Sequence, residues 1–237
     1  MSYLRSMIVA AVAFAAMACA GDLFNPSGPD SKPATIASAV GDTLRADVAT
    51  SVAIAATVLD AGGNPVQGSS VMFAITSGGG SLATTTAQTD NLGQASIMWT
   101  LGTRAGPQTA TATADGLSPV VFTAIAEPGA ALTLDIAGGG NQSAIAGTAV
   151  PTDPSVRALD TYGNPVPNAM VLFQARNGGS ANGRTDGNAA SAFTNADGIA
   201  TVHWILGPSV GADTLLARLN GTVAPIALFA NGIAPAP

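Results

Sequence analysis

The chain has 237 residues, of which 47% are hydrophobic, 9% charged and 5% aromatic, with a formal charge of −6 and a single lysine, Lys32. It carries no basic cluster, which excludes an electrostatic footprint for nucleic acid or an anionic membrane surface. Its apolar fraction is too high for a disordered chain, and its one cysteine, Cys19, excludes an intrachain disulfide.

The N-terminus reads as a targeting segment. Arg5 supplies a positive region, residues 7–17 form a short apolar run, and Ala16-Met17-Ala18 offers small residues for cleavage. The run is too short to span a bilayer as a mature helix, which needs about 20 apolar residues. Ala16-Met17-Ala18-Cys19 resembles a bacterial lipobox, with Ala16 where a larger aliphatic residue is usual. That resemblance makes residues 1–18 a signal peptide and Cys19 a lipidated N-terminus. Ala20, rather than an aspartate, resembles the sorting context of an outer-membrane lipoprotein. The alternative is plain secretion, with Cys19 lost or left as a free thiol. Residues 19–36, rich in Pro, Gly and Ser, read as a flexible tether able to reach roughly 50 Å when extended.

From residue 37 the pattern becomes short alternating runs separated by turn signals about every 8 to 12 residues, the rhythm of an all-β sandwich. Val52, Ile54, Ala56 and Val58 share one face of a strand, as do Val71, Phe73 and Ile75 in the next. Ala95, Ile97, Trp99 and Leu101 line a third, with Gln94, Ser96, Met98 and Thr100 turned to solvent. Asp60-Ala61-Gly62-Gly63-Asn64-Pro65-Val66 then returns one hundred residues later as Asp160-Thr161-Tyr162-Gly163-Asn164-Pro165-Val166. Phe173 answers Phe73 between Val171 and Ala175, and Ala200, Val202, Trp204 and Leu206 answer the third strand at an offset of 105. The second copy therefore holds about five extra residues in one loop, within 181–191. A repeat of this length is a whole domain. The expected domains are 37–127 and 128–237, meeting at Glu127-Pro128-Gly129, a connection short enough for the two to abut end to end. No segment after the signal peptide sustains a helical period. Ala196-Asp197-Gly198 reads as a hairpin connection, and Ser77-Gly78-Gly79-Gly80 and Asn177-Gly178-Gly179-Ser180 as loops needing unusual dihedrals.

The Asp-x-x-Gly-Asn-Pro-Val turns, the Phe strands and Thr89-Asp90-Asn91-Leu92-Gly93-Gln94-Ala95, with Thr194-Asn195-Ala196-Asp197-Gly198-Ile199-Ala200, are similar to the bacterial Ig-like group 1 repeat. That family includes the stalk repeats of invasin- and intimin-type adhesins. The resemblance implies two tandem immunoglobulin-like sandwiches and an extracytoplasmic scaffold or adhesive role. Its motif residues make turns, so it carries over no catalytic residue.

Candidate chemistry is sparse. His203 is the only histidine and has no partners for a triad or a metal cluster; alternation turns it to solvent. Trp99 and Trp204 sit on inward faces, as core anchors rather than a sugar-stacking platform. The aspartates fall mostly in turns, with no Asp-x-Asp-x-Asp run for calcium. No nucleophile elbow or phosphate loop appears. The expectation is no catalysis, no cofactor and no metal. The best candidate recognition loop is the insertion carrying Asn182, Arg184, Asp186 and Asn188. The expected role is a non-enzymatic cell-surface spacer or adhesion module with an unidentified protein or glycan partner. The alternative is a carbohydrate- or envelope-polymer-binding module.

Overall fold

The computed structural model describes residues 32–41, 43–182, 189–219 and 224–237. Among these residues every regular element is a strand and none is a helix. The first nine are β1 (Thr35–Ser38), β2 (Thr43–Asp47), β3 (Ser51–Leu59), β4 (Ser70–Ser77), β5 (Ser81–Leu82), β6 (Thr86–Gln88), β7 (Gln94–Thr100), β8 (Gly106–Ala114) and β9 (Val120–Glu127). The next ten are β10 (Thr133–Gly138), β11 (Gln142–Ile145), β12 (Ser155–Leu159), β13 (Met170–Ala175), β14 (Ser180–Ala181), β15 (Ala189–Phe193), β16 (Ile199–Thr201), β17 (Trp204–Ile205), β18 (Gly211–Leu219) and β19 (Ile226–Ile233).

The first module packs a sheet ordered β1-β3-β7-β5 against one ordered β2-β9-β8-β4-β6. The second repeats this with β10-β12-β16 and the short pair β14-β17 facing β11-β19-β18-β13-β15. Pairing is antiparallel except where β2 runs parallel to β9 and β11 parallel to β19. These are two immunoglobulin-like sandwiches, as the repeat predicts.

Alternation fills each core. Ile54, Ala56, Val58, Val71, Phe73, Trp99 and Leu101 are at most 1% exposed, and so are Val156, Ala158, Val171, Phe173, Trp204 and Leu206. The copies also exchange volume across one register pair. Ala110 faces Phe122 in the first module, whereas Leu215 faces Leu228 in the second. A small-plus-large pair has become two medium residues, both still fully buried.

One position breaks the symmetry of the ladders. Ile54 pairs with Ile97 in the middle of the β3–β7 ladder, but Pro154 occupies the equivalent place in the second copy. Proline has no N–H to donate. Pairing stops at Ser155↔Thr201, and the counterpart of β7 splits into β16 and β17 around Val202 and His203. Past that point the Val202 N–H donates to the Pro154 carbonyl and the Val150 N–H to the Trp204 carbonyl, both at 3.0 Å, without a continuous ladder.

The Ala196-Asp197-Gly198 segment is not a hairpin. The turn is local and tight, with the Gly198 N–H donating to the Asn195 carbonyl at 2.9 Å. Its flanking strands, however, belong to opposite sheets: β15 pairs with β13 and β16 with β12. Turn chemistry specified a reversal but not which neighbours the strands would find. The glycine loops have the dihedrals expected of them, with positive φ at Gly78, Gly79, Gly80, Asn177 and Gly178. Close approach explains the Leu-Gly pair that ends each tryptophan strand. A Cβ on Gly102 would collide with the Gly78 carbonyl, and one on Gly207 with the Asn177 carbonyl.

Candidate functional site

The repeated turn is built the same way twice. In the first copy the Asp60 Oδ1 accepts from the N–H groups of Gly62 (2.8 Å) and Asn64 (2.9 Å), and the Asn64 amide donates to both Asp60 oxygens. Gly63 takes the positive φ the turn requires. In the second copy the N–H groups of Tyr162 and Asn164 donate to the Asp160 Oδ1, both at 2.8 Å, and the Asn164 amide to Oδ2 at 2.9 Å. The Thr motif is structural as well. Thr89 donates to the Val66 carbonyl and accepts from the Ser69 N–H; Thr194 does the same with Val166 and Ala169.

Only the second turn does more. The Asn164 amide also donates to the Thr103 carbonyl at 2.8 Å, and its Oδ1 accepts from the Ala105 N–H at 2.9 Å. Asp160 accepts from the Gly129 N–H of the connecting segment at 3.0 Å. Three hydrogen bonds thus clamp the near end of the second module to a far loop of the first and to the connection itself. The accepting loop is held from behind by Gln108, which is 1% exposed. Its Oε1 takes the Gly102 N–H at 2.8 Å and its amide donates to the Arg104 carbonyl at 3.0 Å. At the free end of the second module Asp213 replaces Gln108, accepting from the Gly207 N–H at 2.9 Å.

Docking changes the environment of identical residues. Asp160 and Asn164 are 3% and 7% exposed, whereas Asp60 is half-buried and Asn64 faces solvent. The Asp60 carboxyl is held below its ordinary value of 3.8, first by the Asn64 backbone N–H and then by the Asn64 side chain. Burial pushes Asp160 up, but the Asn164 side chain and backbone, with Gly129 and Tyr162, outweigh it and leave that carboxyl lowered too.

The sequence-derived candidates scatter. Cys19, Arg184, Asp186 and Asn188 lie outside the described residues. Asn182 is exposed and bonds back to its own strand pair: its N–H donates to the His203 carbonyl at 2.7 Å, and its Oδ1 accepts from the His203 N–H at 3.3 Å. His203 is exposed as expected, and its Nδ1 lies 2.9 Å from Asp153. That pair occupies the place of Ala53↔Met98 in the first module. Trp99 and Trp204 are fully buried, each with an indole N–H that has no hydrogen-bond partner. Among the described residues no three His, Cys, Asp or Glu side chains converge to hold a metal ion. The junction itself escaped the sequence reading, because the partners of Asn164 lie about sixty residues away and contribute only backbone.

Residues 37–125, the first module, match the family model of the bacterial Ig-like domain (group 1). Most of the chain is similar in fold to solved bacterial proteins. Against InvD of Yersinia pseudotuberculosis the TM-score is 0.58 at 19% identity, covering 85% of this chain and 57% of that one. FdeC, an Escherichia coli adhesin, gives 0.48 at 20% identity, with coverages of 84% and 64%. Invasin, a bacterial integrin-binding protein, gives 0.39 at 25% identity, with coverages of 85% and 40%. The chain thus spans less than two thirds of the length of each. No curated protein matches the sequence.

Proposed function

We propose that this chain is a non-enzymatic, extracytoplasmic surface protein whose paired sandwiches act as a spacer or adhesion module. Lipid on Cys19 would anchor it, in the outer membrane or at the cell surface, with the Pro- and Gly-rich segment as tether. The family match of residues 37–125 supports an adhesin-type surface role, and the likeness to InvD supports the tandem fold. The observation that carries the spacer reading is the junction: Asn164 ties the second module to the first through two hydrogen bonds, and Asp160 fixes the short connection through a third. A tied pair of sandwiches projects its far loops in a fixed direction, whereas a hinged pair would not. The rival glycan-binding reading gains nothing from the tryptophans, since both are buried.

The test is expression in a Gram-negative host of the natural chain and of Cys19→Ala. Labelled palmitate on the natural protein only, accessibility to external protease, and attachment of the cells to a surface or to each other would support the reading. A soluble natural protein with no label would remove the anchor, and full attachment by cells lacking the protein would remove the adhesive role.

A further inference from the structure

The duplication supplies an internal control for the outer faces of the sheets. On the five-stranded sheet of the first module the outward positions Thr76, Thr111 and Thr113 are polar. Their counterparts in the second module are Arg176, Leu216 and Arg218, on a ladder of the same pairing except for the register shift at Thr76 in the first module. Leu172 pairs with Arg218 and Leu216 with Gln174, so two half-buried leucines lie between two exposed guanidinium groups. These side chains line a depression of about 290 Å³. Neither arginine makes an ion pair or a side-chain hydrogen bond among the described residues. Phe193 and Phe229, on β15 and β19 of the same sheet, are 65% and 52% exposed.

We propose that this face of the second module is a docking surface for an acidic protein partner. The identity of the occupant follows from chemistry. Two unpaired guanidinium groups on a chain of net charge −6 call for carboxylates, which they bind as planar forks. The apolar part, leucine and exposed phenylalanine with arginine and no lysine, has the composition of a protein–protein contact. β13 and β18 are paired on both sides, so their backbones are committed and recognition falls to side chains. Exposed phenylalanine and half-buried leucine beside guanidinium groups on one sheet face mark an interaction site. This inference rests on the adhesion reading and names the surface that would perform it.

The experiment selects short random peptides displayed on phage against the full chain, then against Arg176→Thr/Arg218→Thr, which installs the residues of the first module. Peptides enriched in Asp or Glu beside aliphatic or aromatic residues are expected. The double variant, with an unchanged melting temperature, should weaken them about tenfold or more. Adding Thr76→Arg, Thr111→Leu and Thr113→Arg to that variant should restore binding on the first module. Neutral or basic consensus peptides, indifference to the arginines, or binding of polygalacturonate in place of any peptide would overturn the proposal. Cells whose attachment survives the double variant would sink this surface while leaving the adhesion reading intact. Peptide binding by a protein that supports no attachment would do the reverse.

Discussion

Asn64 and Asn164 share a motif, a turn and a partner, yet only Asn164 is asked to hold two modules together. Asn164→Ala should therefore cost more than Asn64→Ala by the two junction bonds, about 1–3 kcal/mol at the usual net value per hydrogen bond. Parallel thermal or urea melts of the two variants measure this, and equal losses would mean that the junction bonds add nothing. Trp99→Ala and Trp204→Ala should each cost about 3–5 kcal/mol by opening a cavity in a fully packed core. Unchanged melting of either would contradict its inward place. The acid response follows from Asp60 and Asp160, both held below 3.8. A carboxyl with a lowered folded pKa contributes stability that is complete above its unfolded value and is lost as pH falls through the folded one. Melting temperature should thus hold steady at neutral pH and decline once pH drops below about 3.8. The fall should be shallower in Asp160→Asn. An acid profile identical in that variant would show that Asp160 does not drive the loss.

At the scale of the strand, period-2 alternation revealed the core, because burial of one face leaves a direct imprint on residue order. Val52 to Val58, Val71 to Ile75 and the two tryptophan strands all read correctly for that reason. The Asn195 turn did not, since a reversal is local while sheet membership depends on distant partners. Pro154 had a similar effect at longer range, dividing a strand about fifty positions further along the chain into β16 and β17. Strands that lose ladder bonds open at lower free energy. Amides of residues 202–204 should therefore exchange faster than those of residues 97–99, which a native-state hydrogen-exchange experiment reads directly. Equal protection would show that β14 and the bond to the Pro154 carbonyl compensate fully.

For the whole molecule, two identical motifs have been put to different uses by position alone. The turn at Asp160 is buried in the junction, and the turn at Asp60 lies at the opposite end of the first module with Asn64 exposed. The repeat announced both sandwiches, because a copied core copies its pattern. It could not announce the clamp, whose acceptor is the Thr103 carbonyl and whose donor is the Ala105 N–H, groups every residue possesses. Nor did it single out the sheet face bearing Arg176 and Arg218, whose meaning appears only when the register sets it beside Thr76 and Thr113. The most direct measurement is the spin-label distance distribution across both modules, with Asp115→Cys and Ser209→Cys introduced alongside Cys19→Ser. A clamped pair predicts one narrow distance that broadens when Asp160→Ala and Asn164→Ala are added. A broad distribution in the starting protein, or one that the added substitutions leave unchanged, would contradict it.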